Sequence, residues 1–458
     1  MPRQLVVVDP AFGPRLRSLR EERGLSLRRL GHLVHCSHGY LWDLEAGGKR
    51  PSASVVALLD TALGANGELS ALVSEVSADS GELVAGPAEP GPDVAVGLDF
   101  PQDWRHGAEV AAELWRGDMQ RRDLLVGAGF NAAAFLTPAL RWLTARLEEE
   151  PVGHGDSLVG EPHVETIRHI SGVYRSLDNR YGGGHVRDGL VRFLDTEVAP
   201  LLRGRYDART GIALYSAAAE ATQLAGWASY DAGLNGLAQR YMVQALRLAT
   251  AAGDRTLGAE ILAAMSHQAA YLGASAEAVD LARAAGRTAA ESGMAAIQAE
   301  SAVLEAQGHA VGGDEAACTA ALDRAERAFD RAENTSNPQW IGYFDEAYLS
   351  AKFGHCFAAL GQGKLAARFA VRSLEMDGSA YARGKQFNLA LLALAHVQSG
   401  EPEQAGAVGV QAAQAAESLS SERARAYLAT LADRLTPYAG LPTVQEFSAR
   451  VRPLLQAA

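Results

Sequence analysis

Residues 25–52 read LSLRRLGHLVHCSHGYLWDLEAGGKRPS. Two short helices joined by a tight turn fit this stretch, and no period-2 strand pattern does. Ser26 is placed to cap a helix from Leu27 to Val34, whose apolar face is Leu27, Leu30, Leu33 and Val34. Ser37 is placed to cap the next, with Leu41 and Leu44 inward and Gly47-Gly48 ending it. The same grammar runs outward on both sides. Leu16 and Leu19 share a face of an earlier helix that stops at Gly24, and Arg17 can pair with Glu21 one turn on. Ser52 caps a later helix with Val55, Leu58, Leu59 and Leu63 inward, closed by Gly64, and a last helix follows Asn66-Gly67. Residues 12–73 are therefore predicted to be five short helices around one small core.

The whole chain has 458 residues, 48% hydrophobic and 21% charged, with a formal charge of −12. That is enough apolar material for more than one buried core. It is not a polycation, so any nucleic-acid contact must come from a local patch. Residues 1–50 supply one, with nine Arg/Lys against five Asp/Glu. The basic residues are almost all arginine; Lys49, Lys352, Lys364 and Lys385 are the four lysines, a bias read as genomic composition. Cys36, Cys318 and Cys356 are odd in number and far apart, which excludes a disulfide framework and a Cys-rich zinc module. No run of about 18 apolar residues predicts a membrane span. Met1 to Pro10 does not read as a secretory signal, so a cytoplasmic protein without membrane contact is expected. Residues 75–103 hold seven acids, no base, and Pro87, Pro90, Pro92 and Pro101. A flexible acidic linker is expected over 74–103, with a reach of about 30 Å as a coil.

From Trp104 onward the pattern is helical and Ala/Leu-rich, without long Val/Ile/Thr alternation, and the fold class is all-α. A Gly followed five residues later by Ala recurs at Gly233/Ala238, Gly273/Ala278, Gly312/Ala317, Gly361/Ala366 and Gly400/Ala405. Each pair lies between two helical stretches of similar length. Five helix pairs of near-constant period predict an α-solenoid over 206–458, with a helical region over 104–205 leading into it. Within that region, Tyr181-Gly182-Gly183-Gly184-His185 could expose backbone N–H groups to an anion. It lacks the Lys-Ser/Thr of a phosphate loop and no strand precedes it, so a helix–helix turn is expected there.

The segment Leu25-Ser26-x-x-x-Leu30, then Ser37-x-x-Tyr40-Leu41-x-x-Leu44-Glu45-x-Gly47-x-x-Arg50-Pro51-Ser52, resembles the helix-turn-helix of XRE/Cro-type DNA-binding proteins. The resemblance implies that the second helix of the motif enters the major groove. Ser37, His38, Gly39, Tyr40, Trp42 and Asp43 would then face the bases. Arg28, Arg29, Lys49 and Arg50 would hold phosphates and set the salt dependence. Two features depart from the family. Leu27 stands where a Gln is frequent, and the second helix has no Arg, Gln or Asn for bidentate base contacts. Asp43 could accept from a cytosine amine, and His38 could donate to a guanine edge. Glu45 is read as structural, bonding Arg17 or Arg20.

The helix pairs resemble tetratricopeptide repeats. Small residues fall seven before the Gly at Gly226, Ser266, Gly354 and Ala393, but the third repeat has Glu305 there. In such repeats the first helix of each pair lines the concave face. Carried over by register, the resemblance places Glu220, Gln223, Trp227 and Tyr230 of the first repeat in the groove, then Glu260, His267 and Tyr271 of the second. His309 of the third and Tyr348 and His355 of the fourth would follow. These side chains would either line a site for a peptide or small molecule or pack between repeats. With Ser176-Leu177-Asp178, Glu197-Val198-Ala199-Pro200-Leu201-Leu202 and Trp340-x-Gly342-Tyr343-Phe344-Asp345-Glu346, the resemblance to bacterial XRE-type regulators with tetratricopeptide-like tails extends over most of the chain.

The function expected from this reading is a DNA-binding transcriptional regulator acting on a double-stranded operator. Its solenoid would join two chains as a homodimer and sense a peptide, a small molecule or a protein partner. The alternative is an interaction adaptor, with the N-terminal module as a docking unit. No nucleophile elbow, metal-ligand spacing or nucleotide loop is present, so neither an enzyme nor a cofactor is expected.

Overall fold

A computed structural model describes residues 6–8, 12–34, 38–45, 53–63, 65, 68–75, 96–120, 129–144, 149–332 and 339–456. They belong to two compact units, residues 1–89 and 90–458.

The first unit holds β1 (Val6–Val8), α1 (Phe12–Glu22), α2 (Leu27–Val34), α3 (His38–Glu45), α4 (Ala53–Leu63), α5 (Glu68–Ala71) and β2 (Val73–Glu75). The five helices stand where the sequence predicts them; Ser37 and Ser52, two of the three predicted caps, lie outside the described residues. The backbone N–H of Arg29 donates to Oγ of Ser26 at 3.2 Å, which fixes the start of α2. Phe12, Leu16 and Leu19 of α1, Leu30 and Val34 of α2, and Leu41 and Leu44 of α3 meet Val56, Leu59, Leu63 and Leu69 in one core. Full burial of each such leucine is worth about 1.5–3 kcal/mol. A Cβ on Gly13 would come 2.6 Å from the Glu45 carbonyl oxygen, so α1 approaches the end of α3 as closely as a glycine permits. Sequence pattern did not predict the antiparallel pairing of β1 with β2, which sets Val6 opposite Glu75.

The second unit is an α-helical repeat solenoid with a helical layer before it. The layer comprises α6 (Trp104–Gln120), α7 (Leu136–Thr144), β3 (Gly153–His154), α8 (Glu161–Tyr181), α9 (Gly183–Phe193), α10 (Ala199–Leu202) and β4 (Arg205–Tyr206). The repeats follow as α11 (Ala208–Asp231) with α12 (Asn235–Ala251), α13 (Arg255–Tyr271) with α14 (Ser275–Glu291), and α15 (Ala295–Val311) with α16 (Glu315–Ala332). Then come α17 (Glu346–Ala359) with α18 (Gly363–Ser373), α19 (Ala382–Gln398) with α20 (Pro402–Ala416), and α21 (Glu422–Leu435) with α22 (Pro442–Gln456).

One turn chemistry repeats through the first three pairs. Gly233, Gly253, Gly273, Gly293 and Gly313 all have φ between 64° and 81°. In each turn the next residue donates to the carbonyl five back, as Leu234 to Ser229 (2.9 Å), Ala274 to Ala269 (2.9 Å) and Asp314 to His309 (2.9 Å). This closes the last helical turn and reverses the chain. The positive φ therefore falls on Gly313, and Gly312 ends its helix with φ −77°. The third repeat is shifted by one residue from the Gly312/Ala317 register. Seven before Gly313 stands Ala306, small and fully buried, so this repeat does not depart from the others. The last pair carries no such glycine; a 3₁₀ turn, Thr436–Tyr438, joins its helices.

The linker expected over 74–103, which the sequence leaves either loose or docked, is docked at its C-terminal end. Arg240 Nε donates to the Val96 carbonyl (2.9 Å), Gln244 Nε2 to those of Gly97 and Asp99 (both 2.8 Å), and Arg247 Nη2 to that of Gln102 (2.9 Å). Phe100 is buried beside them. Residues 76–95 lie outside the described residues. The layer over 104–205 is likewise part of the solenoid's packing. Trp142 of α7 abuts Gly258, where a Cβ would stand 2.1 Å from the ring, and its Nε1 donates to Thr288 Oγ1 at 3.3 Å.

Candidate functional site

In the first unit, Leu41 and Leu44 turn into the core and leave Trp42 of α3 60% exposed. Arg29 is exposed on α2. α2 and α3 thus each present a large exposed side chain, one basic and one aromatic. Gly39 sits in the first turn of α3. Ser37, Lys49 and Arg50 lie outside the described residues, as do the side chains of Arg28, His38, Tyr40 and Asp43. Glu45 meets Arg20, not Arg17. Its oxygens lie 2.5 and 2.9 Å from Nε and Nη2 of Arg20, whose Nη1 donates to the Leu25 carbonyl at 3.0 Å. This fork ties α1 to α3 and to the turn before α2. It makes Glu45 a positioning residue for α3.

In the second unit, the first helices of the pairs turn a set of polar and aromatic side chains toward a common lumen. Glu220, Glu260 and Glu300 recur at the 40-residue period on α11, α13 and α15. Glu220 is half-buried and paired with Arg168 at 3.3 Å. Gln223 is buried and donates to Glu260 at 3.2 Å. The Tyr343 hydroxyl lies 2.9 Å from Oε1 of Glu260 and 2.9 Å from Oε1 of Glu300, and Tyr348 donates to Glu300 at 3.1 Å. One hydroxyl carries one proton, so Tyr343 donates to only one of the two carboxylates at a time. Burial, then the neighbouring carboxylate, pushes Glu260 well above the usual carboxylate range, and burial pushes Glu300 up as well.

A cluster of nitrogen bases adjoins this pair. Lys352 Nζ contacts Nδ1 of His267 and lies 3.3 Å from Oε1 of Gln307. A neutral His267 accepts from Lys352 at Nδ1 or donates to it there, according to its tautomer. Burial pushes Lys352 down to about 7, against the pull of Glu300. Burial and then Lys352 push His355 down to about 3 and hold His267 well below the usual histidine range. Rings continue from there. Trp227 and Tyr230 lie 5.3 and 5.7 Å from His267, Tyr271 lies 5.4 Å from Tyr230, and Tyr427 reaches Tyr271, His355 and Phe387 at 6.2, 6.0 and 5.5 Å. The Arg423 guanidinium stands over Tyr230, Phe387 and Tyr271 at 4.2, 4.7 and 5.0 Å.

Distant segments of the unit meet at one junction. Arg383 of α19 bonds both oxygens of Asp178 on α8 (2.9 and 2.7 Å) and lies 3.5 Å from Asp231. The triple glycine makes this junction. Gly183 N–H donates to Asp231 at 2.8 Å, Gly184 N–H to the Ser420 carbonyl at 2.9 Å, and Ser420 N–H to the Tyr181 carbonyl at 2.7 Å. The anion that the Gly183 amide meets is the chain's own Asp231.

The structure thus brings Gln223, Trp227, Tyr230, Glu260, His267, Tyr271, Tyr348 and His355 together. It does not bring His309, which lies 3.6 Å from Glu305 amid Arg283 and Arg324. The corrected register puts Glu300 and Gln307 in the lumen instead. Sequence reading missed these two through the one-residue shift. It missed Tyr343 in the insertion, Lys352 on α17, and Arg423 and Tyr427 on a pair without the marker glycine.

Among the described residues no helix is long and apolar enough to cross a membrane. No curated protein matches the chain. Residues 11–73 match the family model of a helix-turn-helix domain, which points to a DNA-binding regulator.

Proposed function

We propose that the chain is a transcriptional regulator of XRE type. Its helix-turn-helix unit binds an operator as a homodimer, and its tetratricopeptide-like solenoid responds to an effector held in the lumen. The observation that carries the reading is the match of residues 11–73 to a helix-turn-helix domain, on a unit whose α3 exposes Trp42 and is locked by Glu45 and Arg20. Two half-sites about one helical turn apart would be read by two heads, each too weakly basic to hold DNA alone. An effector that prefers one arrangement of the helix pairs would shift the population of DNA-competent dimers.

The test is genome-wide mapping of binding sites for the full chain and for a variant with Arg28, Arg29, Lys49 and Arg50 all changed to Ala. Sharp sites sharing a palindrome and lost in the variant are expected. In vitro, loss of four phosphate contacts should flatten the slope of log K against log salt by about 3–4. Absence of sites above the variant's background would refute operator binding and leave the head as a docking unit.

A further inference from the structure

We propose that the lumen of the solenoid binds a small aromatic carboxylate, its carboxylate on Arg423 and its ring among Trp227, Tyr230 and Tyr271. The proposal deepens the effector part of the reading above and rests on it, so binding is measured without DNA and the two can fail separately.

The argument is one of charge. Arg423 stands over three rings, and among the described residues no carboxylate lies within 4.0 Å of it. Its Nε is buried and has no hydrogen-bond partner, nor has the hydroxyl of Tyr230 beneath it. An arginine cannot shed its proton, so a buried guanidinium calls for an anion. The carboxylate nearest in role, Asp231, is already committed to Gly183 N–H, to Ser421 Oγ at 2.8 Å and to Arg383. Arg423 is thus a guanidinium without an ion-pair partner among the described residues. Its surroundings choose the rest of the ligand. Trp227, His267, Tyr271, Tyr427 and Phe387 are only partly buried around it. Edge and face contacts with such rings favour a planar aromatic body. A guanidinium with a free Nε offers the fork that a carboxylate fits. At the other end, Oε2 of Glu260 is buried without a partner and would accept from a hydroxyl or amine on the same molecule.

The experiment uses the full chain and three probes, benzoate, phenylacetate and indole-3-acetate, each against its neutral amide at equal ionic strength. Thermal unfolding and titration calorimetry are read. At least one carboxylate should raise Tm by about 2 °C at a concentration well above its Kd, and its amide should not. Arg423→Gln should weaken that carboxylate roughly tenfold or more, as loss of a charge-assisted pair does. Equal shifts from the amides, shifts from inorganic phosphate alone, or no shift from any carboxylate would overturn the proposal. Should Arg423→Gln fail to fold, the carboxylate–amide comparison on the unaltered chain decides.

Discussion

Arg20 and Glu45 illustrate how one pair of side chains can set the geometry of a reading head. The Arg20 side chain is 12% exposed and that of Glu45 7%. Cutting a buried pair on one side leaves the other charge desolvated and unmatched, at a cost of about 3 kcal/mol. Glu45→Ala should therefore lower the unfolding midpoint of the first unit and weaken DNA binding, although Glu45 is not a base reader. Calorimetry would register the loss as a shift confined to one transition. Lys352 makes the opposite case. Its folded pKa of about 7 lies below the ordinary lysine value, so the fold favours the neutral amine. Stability from such a group is complete above the unfolded pKa and is lost as pH falls through the folded one. From pH about 10 down to about 7 the unaltered chain should lose up to roughly 1.4 kcal/mol per pH unit relative to Lys352→Met. Urea midpoints of both proteins at either end of that window measure it; parallel curves would refute the assignment.

At the scale of elements, what was legible in the sequence was what is local. Five head helices follow from Ser26 as a cap and from leucines three and four apart, signals contained within a turn or two. The helix pairs follow from glycines that only a left-handed turn requires. Contacts between distant segments left no such trace. Val6–Val8 is too short for a period, and its partner lies 65 residues or more away. The acidic, proline-rich composition of the linker conceals that its last residues dock through backbone carbonyls, which any sequence supplies. Two adjacent glycines, Gly312 and Gly313, were indistinguishable without φ, and that single residue moved Glu300 and Gln307 out of the groove and His309 into it. Two glycines test this reading of local backbone. Gly313 has φ +79° and nothing near its Cβ position, so Gly313→Ala meets backbone strain alone and should cost about 1–2 kcal/mol. Gly172 lies exposed inside α8 with nothing within 4 Å, so Gly172→Ala should stabilise by up to about 1 kcal/mol. Chemical denaturation of the second unit separates the two signs.

Across the second unit as a whole, the repeats account for a solenoid, and a junction of ion pairs and backbone bonds ties its ends together. That junction depends on residues more than 200 positions apart, Asp178 and Arg383, held within 2.9 Å. Asp178 and Asp231 are both buried, and Arg383 touches both. Burial pushes Asp178 up even with Arg383 beside it, so the cation holds a carboxylate that the site would otherwise neutralise. Arg383→Ala would leave both carboxylates without it. Asp231 keeps Gly183 N–H and Ser421 Oγ, whereas Asp178 loses both of its bonds to Arg383. The expected result is local opening at a cost of about 3 kcal/mol rather than global unfolding, because the helix-pair cores do not include these residues. Hydrogen exchange should accelerate at Gly182 to Gly184 and Ser420 to Glu422, and the turns at Gly253 and Gly293 should keep their protection. The same variant should bind an aromatic carboxylate more weakly, since Arg423 and Tyr230 are held on either side of the junction by α21 and α11. Unchanged exchange at the triple glycine would mean that the backbone bonds of Gly184 and Ser420 hold the junction without help from the ion pair.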